Sequence, residues 1–313
     1  MAIENTTPSD LLAMDKTYPQ RIHLRRALLR DRQPDVLAHN PAIEPAVREF
    51  YAWLTNTYLP SRFPTLFTRE ADTDALRNHA TDELLPLHVS PGAGGAEQAL
   101  QLIGANIDTD FLFLLPIPPE GLSSPHAAAT TTTTKYRLEG FVTCFPSGFD
   151  TRRKLNLALA DIHAPVPGYG AKLERSMDRF FAALPVGRVV KRCNWSVTTN
   201  RELFALRGNH LSEEELAARA GKGKEEEVDL DECVLRCERQ TLHRLPESKA
   251  LVFAFKTYQY ALQEIKDEGN GEALASAIEG LGQGSVPGMR VYKREVIWGK
   301  KVKAFLRGQE NRN

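Results

Sequence analysis

The run Leu251-Val-Phe-Ala-Phe-Lys-Thr-Tyr258 is apolar at almost every position, and it constrains the fold more than any other stretch. A short apolar run of β-branched and aromatic residues reads as a central strand. Other strand runs accompany it. Phe111–Leu115 is bounded by Asp110 and the Pro116–Pro119 turn. Tyr136, Leu138, Gly140 and Val142 alternate with their neighbours. In Val189–Val197, Val189, Cys193, Trp195 and Val197 share one face, and Val190, Arg192, Asn194 and Ser196 share the other. In Val234–His243, one face carries Leu235, Cys237, Arg239 and Thr241, the other Arg236, Glu238 and Gln240. Helical stretches precede and divide these strands without βαβ alternation or internal repeat. The expected class is therefore α+β with an antiparallel sheet.

The helical pattern is clear where apolar residues recur three and four apart. Val47, Phe50, Tyr51 and Leu54 predict a helix over Ile43–Leu59, ended by Pro60 and the Arg62-Phe63-Pro64 turn. A second helix is expected over Asp72–Leu85, with Asp72 as N-cap. Leu173, Met177, Phe180 and Leu184 form the core stripe of a helix over Tyr169–Leu184. Ser212 and Glu215 have capping-box spacing. Tyr260–Glu268 and Gly271–Leu281 read as helical. Residues 1–40 read as a polar arm, whose Arg21, Arg25 and Arg26 form a solvated face or bind anionic groups. The central domain is expected over 41–285, and 286–313 as a basic tail with a final helix. Gly92–Gly95 lacks the Lys-Ser/Thr of a phosphate loop and reads as a flexible turn. Ala127–Thr134 reads as an exposed mobile loop, and Gly221–Asp231 as a solvated charged loop.

Forty basic and forty acidic residues cancel, which speaks against a nucleic-acid or anionic-membrane partner. No apolar run approaches the roughly 20 residues of a membrane span, and Met1–Asp15 has no signal-peptide pattern. The four cysteines, Cys144, Cys193, Cys233 and Cys237, lack C-x-x-C spacing, so no structural zinc site is expected. Reduced thiols in a cytoplasmic protein are the expectation.

Chemistry gathers in Phe145–Val197. Pro146-Ser147-Gly148 is a turn cluster, and His163 precedes the rigid Pro165-Val166-Pro167. Proline restrains the backbone before it, so an extended, stiff segment is expected around His163. Such a histidine either faces a metal or caps and packs within a Pro-rich turn. Arg239 lies on the apolar side of its strand and needs an anionic partner, either a protein carboxylate or a cofactor carboxylate. Trp195 either packs in the core or stacks on a flat cofactor.

Several segments then resemble one family in order: Phe145-Pro-Ser-Gly-Phe149, Ile162-His-Ala-Pro-Val-Pro-Gly-Tyr169, Asp178-Arg-Phe-Phe181, Asn194-Trp-Ser-Val197, Glu238-Arg-Gln-Thr-Leu242, Arg244-Leu-Pro246 and Thr257-Tyr258. The set resembles the haem-dependent oxidative N-demethylase α-subunit family, across roughly Tyr18 to Leu262. The resemblance implies a PAS-like antiparallel sheet with flanking helices around haem b. It also implies O2-dependent oxidation of a small methylated amine, such as dimethylamine, to release formaldehyde. His163 matches the histidine of the H-A-P-V-P motif and is the expected iron ligand. Arg239, in the R-Q-T motif, is the expected partner of a haem propionate. Arg192, Asn194 and Trp195 match the R-x-N-W segment and are expected to line the pocket. Phe149 stands where a tryptophan is expected, and Cys237 precedes the E-R-Q-T motif, which alters the expected pocket shape.

Glu238, Asp150 and Tyr258 are candidates to hold an ammonium substrate. No Rossmann fingerprint or iron–sulfur cysteine pattern is present, so any electron transfer falls to a partner protein. A haem-PAS binding or sensing module without turnover is the competing reading, but the chain shows no output domain or coiled-coil linker.

Overall fold

The computed structural model describes residues 3–92, 94–118, 133–220 and 227–309. The expected loop Ala127–Thr134 thus falls largely outside the described residues, as does the first half of Gly221–Asp231. The strands are β1 (Glu4–Thr6), β2 (Leu37–His39), β3 (Phe67–Arg69), β4 (Ala75–Asn78), β5 (Glu83–Pro86), β6 (Asp110–Pro116), β7 (Tyr136–Val142), β8 (Val189–Thr198), β9 (Val234–Arg244) and β10 (Leu251–Ala261). The helices are α1 (Tyr18–Asp31), α2 (Gln33–Val36), α3 (Glu44–Trp53), α4 (Leu59–Arg62), α5 (Gly95–Asn106) and α6 (Leu159–Ile162). They continue with α7 (Glu174–Ala183), α8 (Glu213–Ala220), α9 (Leu262–Asp267), α10 (Gly271–Gln283), α11 (Met289–Tyr292) and α12 (Glu295–Leu306).

A seven-stranded antiparallel sheet runs in the order β1-β8-β9-β10-β6-β7-β2, and β3-β4-β5 form a smaller sheet. The Leu251–Tyr258 run is the middle of this larger sheet, paired with β9 and β6. The β9–β10 hairpin is pinned by Glu49, whose carboxylate accepts the Glu247 and Ser248 amides at 2.7 and 2.8 Å.

The two faces of the sheet differ. On the first, Phe111, Phe113, Val252 and Ala254 pack under Val47, Phe50 and Leu100 of α3 and α5. Burying each large apolar side chain contributes about 1.5–3 kcal/mol. Farther along this face, Val197 and Leu235 meet Leu262, Ile278, Trp298 and Val302 of the C-terminal helices. On the second face, Leu114, Val190, Leu242 and Leu251 lie under Leu159 and Leu184, with Phe180, Phe181 and Phe253 half-buried beside them. This second face carries the candidate site.

Several expectations change. Asp72–Leu85 is not a helix but β4 and β5, joined through Asp82 at φ 54°. Leu76 and Asn78 are buried while Ala75 and Arg77 are not, a period of two that pairing with β3 enforces. The Gly-rich turn opens a helix instead: Gly94 sits at φ 97° before α5, and a Cβ on Gly95 would strike the Ser90 carbonyl. The segment expected as a polar arm supplies β1, β2 and α1. Arg25 of α1 is fully buried, ion-paired to Asp110 at 2.6 Å. In turn, Asp110 accepts the Cys144 and Phe145 amides, each at 2.8 Å. The segment expected as a basic tail forms α12, whose Trp298, Val302 and Phe305 are core.

The α7 stripe is less buried than predicted. Leu184 is buried, but Leu173, Met177 and Phe180 are only half-buried, while Asp178 is buried. Helix α3 runs through a π segment, Leu54–Tyr58, into α4. The Ser212–Glu215 capping box forms as read, with reciprocal bonds of 2.9 and 3.1 Å.

Candidate functional site

His163 ends the short helix α6, which packs Leu159 onto the second sheet face. Its backbone is at φ −100°, ψ 4°, not extended as expected. Pro165 restrains Ala164, one residue too far along to prevent a helical end at His163. The imidazole Nδ1 donates to the Leu159 carbonyl at 2.7 Å, and the ring stacks on Tyr169 at 4.6 Å and 11°. Burial pushes the His163 pKa down, opposed by that hydrogen bond and aided by nearby Lys154 and Arg192. The ring is therefore neutral near pH 7, with its proton on Nδ1. No described residue bonds Nε2, whose lone pair is free for a ligand.

The loop after His163 is held from far along the chain. Gly168 sits at φ 71°, and a Cβ there would lie 3.2 Å from Val286. A Cβ on Gly288 would lie 3.1 Å from Pro167. Lys172 donates to the Ser285 carbonyl. Residues 285–288 thus back the His163 loop.

Around His163 the second face is apolar, with Leu114, Leu159, Val190, Leu242 and Leu251. Along the same face it becomes polar. Strand register sets Arg192 opposite Gln240, Asn194 opposite Glu238, and Glu238 opposite Thr257. Arg192 donates to Gln240 Oε1 at 2.5 Å. Gln240 and Asn194 donate to Glu238 Oε2 at 2.8 and 3.4 Å. Lys154 lays its ammonium 4.6 Å from the Phe149 ring centre, and Phe149 meets Phe255 at 6.4 Å. Burial lowers the pKa of Lys154, Arg192 and Arg236 and takes Lys293 down to about 8. Glu238 is the carboxylate that couples to all four cations and counters that shift.

A second histidine joins this end. His210 shares its Nδ1 with the Gly148 carbonyl at 3.3 Å and stacks on Tyr292 at 4.4 Å and 21°. Burial pushes its pKa down to about 4, with Lys154, Lys293 and Arg236 adding to the effect. His163 and His210 thus share one arrangement: Nδ1 on a backbone carbonyl, a ring on a tyrosine, and Lys154 nearby.

The expected site residues divide by strand face. Arg192 and Asn194 share the second face with Glu238. Arg239 and Trp195 alternate to the first face, away from His163. Arg239 donates to the carbonyls of Asp10 and Leu11 and lies near the Asp10 carboxylate, whose pKa it helps to lower. Trp195 packs beside the C-terminal helices, under the Lys293 ammonium at 5.0 Å. Lys154, His210, Tyr292 and Lys293 carried no periodic signal and are brought near Arg236 and Glu238 only by the fold. Asp150 is tied to the Arg152 amide at 2.9 Å, and Tyr258 lies on the first face beside Tyr260.

A cleft of about 300 Å³ opens elsewhere, between Arg48, Glu49, Ala52 and His88. Among the described residues, no group of three or more His, Cys, Asp or Glu is placed to hold a bare metal ion. Haem makes no such demand, because the porphyrin supplies four nitrogens and the protein one axial imidazole. An imidazole whose Nε2 no described residue bonds, with Lys154 and Arg192 nearby for carboxylates, fits that group.

Among the described residues, no helix is long and apolar enough to cross a membrane. A family model described as "Haem-dependent oxidative N-demethylase, alpha subunit-like" matches residues 2–303. An alpha subunit implies a partner subunit. Because the match runs along nearly the whole chain, this protein belongs to the haem-dependent oxidative N-demethylase, alpha subunit-like family.

Proposed function

We propose that the chain is a haem-binding oxidoreductase that uses dioxygen to demethylate a small methylated amine, dimethylamine being the simplest, and releases formaldehyde. The observation that carries this reading is His163: its Nδ1 is committed to Leu159, and no described residue bonds its Nε2. We take the cofactor to be haem b, and the sheet with its flanking helices to be a PAS-like cradle for it.

His163 would hold the haem iron, its imidazole oriented by the Leu159 carbonyl and by stacking on Tyr169. Arg192 would meet a haem carboxylate from the same face. Bound haem would supply the redox chemistry with dioxygen. Methylated amine, dioxygen and water balance to demethylated amine, formaldehyde and hydrogen peroxide. If water is formed instead of peroxide, two electrons and two protons must come from a separate redox protein. Asn194 and Gln240 hold Glu238 by one oxygen, which leaves its other oxygen able to accept from an ammonium. His210 presents a neutral Nε2 as proton acceptor at the same end.

The test is an absorption spectrum of the protein expressed with haem available, beside His163→Ala, followed by a formaldehyde assay with dimethylamine. A Soret band that weakens or shifts in the variant supports the axial role. An unchanged band moves the ligand to another residue. No band after haem titration ends the haem reading, and a band without formaldehyde leaves a haem-binding module.

A further inference from the structure

The polar end of the second face holds more cationic than anionic groups, and some of its donors are unmet. Arg236 is buried, with Nη1 on the Glu202 carbonyl and Nη2 on those of Phe145 and Leu203. Its Nε–H is buried with no partner, and so is the Thr257 hydroxyl. A buried, unsatisfied donor costs about 1–3 kcal/mol, so such atoms mark where a polar ligand or water belongs. Lys154 adds an ammonium whose described contact is an aromatic face.

Acceptors lie beside these donors. Glu238 has spare capacity beyond its bonds to Gln240 and Asn194, since a carboxylate takes about four hydrogen bonds. His210 adds a neutral Nε2. Arg236 and Glu238 are two residues apart on one face of β9, roughly 7 Å along the strand. An ammonium and a carboxylate on one carbon, each with a hydrogen bond of about 2.8 Å, span a similar length.

Charge argues against a plain alkylammonium here. Even with Arg192 answered by a haem carboxylate, Lys154 and Arg236 outnumber Glu238 on this face. A ligand bearing only positive charge would meet net repulsion, which is strong at low effective dielectric. We propose that this end of the site binds a zwitterion, an N-methylated amino acid, with its carboxylate on Arg236 and Lys154 and its ammonium on Glu238. This narrows the substrate class of the reading above and rests on that reading for the chemistry, but the binding site stands on the residues of this chain alone.

The test is calorimetric titration of the haem-supplemented full chain with N-methylglycine, dimethylammonium chloride and sodium acetate, for wild type, Lys154→Gln and Glu238→Gln. N-methylglycine is expected to bind at least tenfold more tightly than either of the other two. Lys154→Gln should erase its advantage over dimethylammonium, and Glu238→Gln its advantage over acetate. Circular dichroism establishes that each variant is folded. If Glu238→Gln unfolds, Lys154→Gln alone decides. Equal or tighter binding of dimethylammonium overturns the proposal, as does no binding of N-methylglycine or a preference that survives Lys154→Gln. A Soret band on the same samples separates the two ideas. A band without the preference removes the zwitterion alone, and the preference without a band keeps the zwitterion site and removes haem.

Discussion

Replacing His243 by leucine should make the protein far less sensitive to acid. His243 lies on the first sheet face, 5.7 Å from the Phe50 ring and 6.2 Å from Trp53. It is buried, and neither ring nitrogen has a hydrogen-bond partner. Burial alone pushes its pKa down to about 4. The unfolded chain takes up the same proton near pH 6.5. Acidification therefore favours the unfolded state. The stability tied to a neutral His243 is complete above pH 6.5 and is lost as pH falls through 4. At pH 4 the loss is about 3 kcal/mol relative to pH 7, from the gap between the two pKa values. Leucine at this position has no such linkage and no orphaned nitrogens, which adds roughly 1–2 kcal/mol at every pH. Urea unfolding followed by tryptophan fluorescence at pH 7 and pH 4 measures both effects. His210 titrates in the same direction in both proteins, so the difference between them isolates His243. If wild type and His243→Leu lose equal stability on acidification, the reasoning about this buried imidazole is wrong.

Asp110→Asn should cost about 3–5 kcal/mol, because it leaves Arg25 charged and buried without its partner and weakens acceptance from the Cys144 and Phe145 amides. A melting temperature within a degree or two of wild type would contradict this. Gly168→Ala should cost about 1–2 kcal/mol through the φ of 71° and should loosen haem retention, read as faster haem transfer to an acceptor apoprotein. Arg192→Gln should weaken haem affinity severalfold while Arg239→Gln leaves it unchanged, and the opposite ranking in a haem titration would move the cofactor to the first face.

The sheet was legible wherever one face is buried, because alternation then has a physical cause. In Val189–Val197 and Val234–His243 it separated Arg192, Asn194 and Glu238 from Trp195 and Arg239 before any fold was known. What it lacked was the identity of the face that holds the site, which depends on where α6 docks. Arg239 thus drew a cofactor role, whereas on the first face it meets the Asp10 and Leu11 carbonyls and the nearby Asp10 carboxylate. Asp72–Leu85 misled because residues such as Ala75, Leu76, Leu84 and Leu85 suit a helix, and only pairing with β3 selects strands. His210 lies in the aperiodic Gly208-Asn-His-Leu211 stretch. Its setting depends on the Gly148 turn and on Tyr292, neither of which is near it in sequence.

The backing of the His163 loop by residues 285–288 has a consequence for how the domain opens. The segment from Val166 to Lys172 leans on a connector that leads directly into α11 and α12. Partial unfolding of the C-terminal helices would release that connector and, with it, the orientation of an imidazole more than a hundred positions earlier. Amide hydrogen exchange in Val166–Lys172 should therefore track exchange in α12 rather than in the neighbouring α7, making the two segments one cooperative unit. A tag or truncation placed after Leu306 would then register in the spectrum of the bound cofactor before it registers in the melting of the sheet.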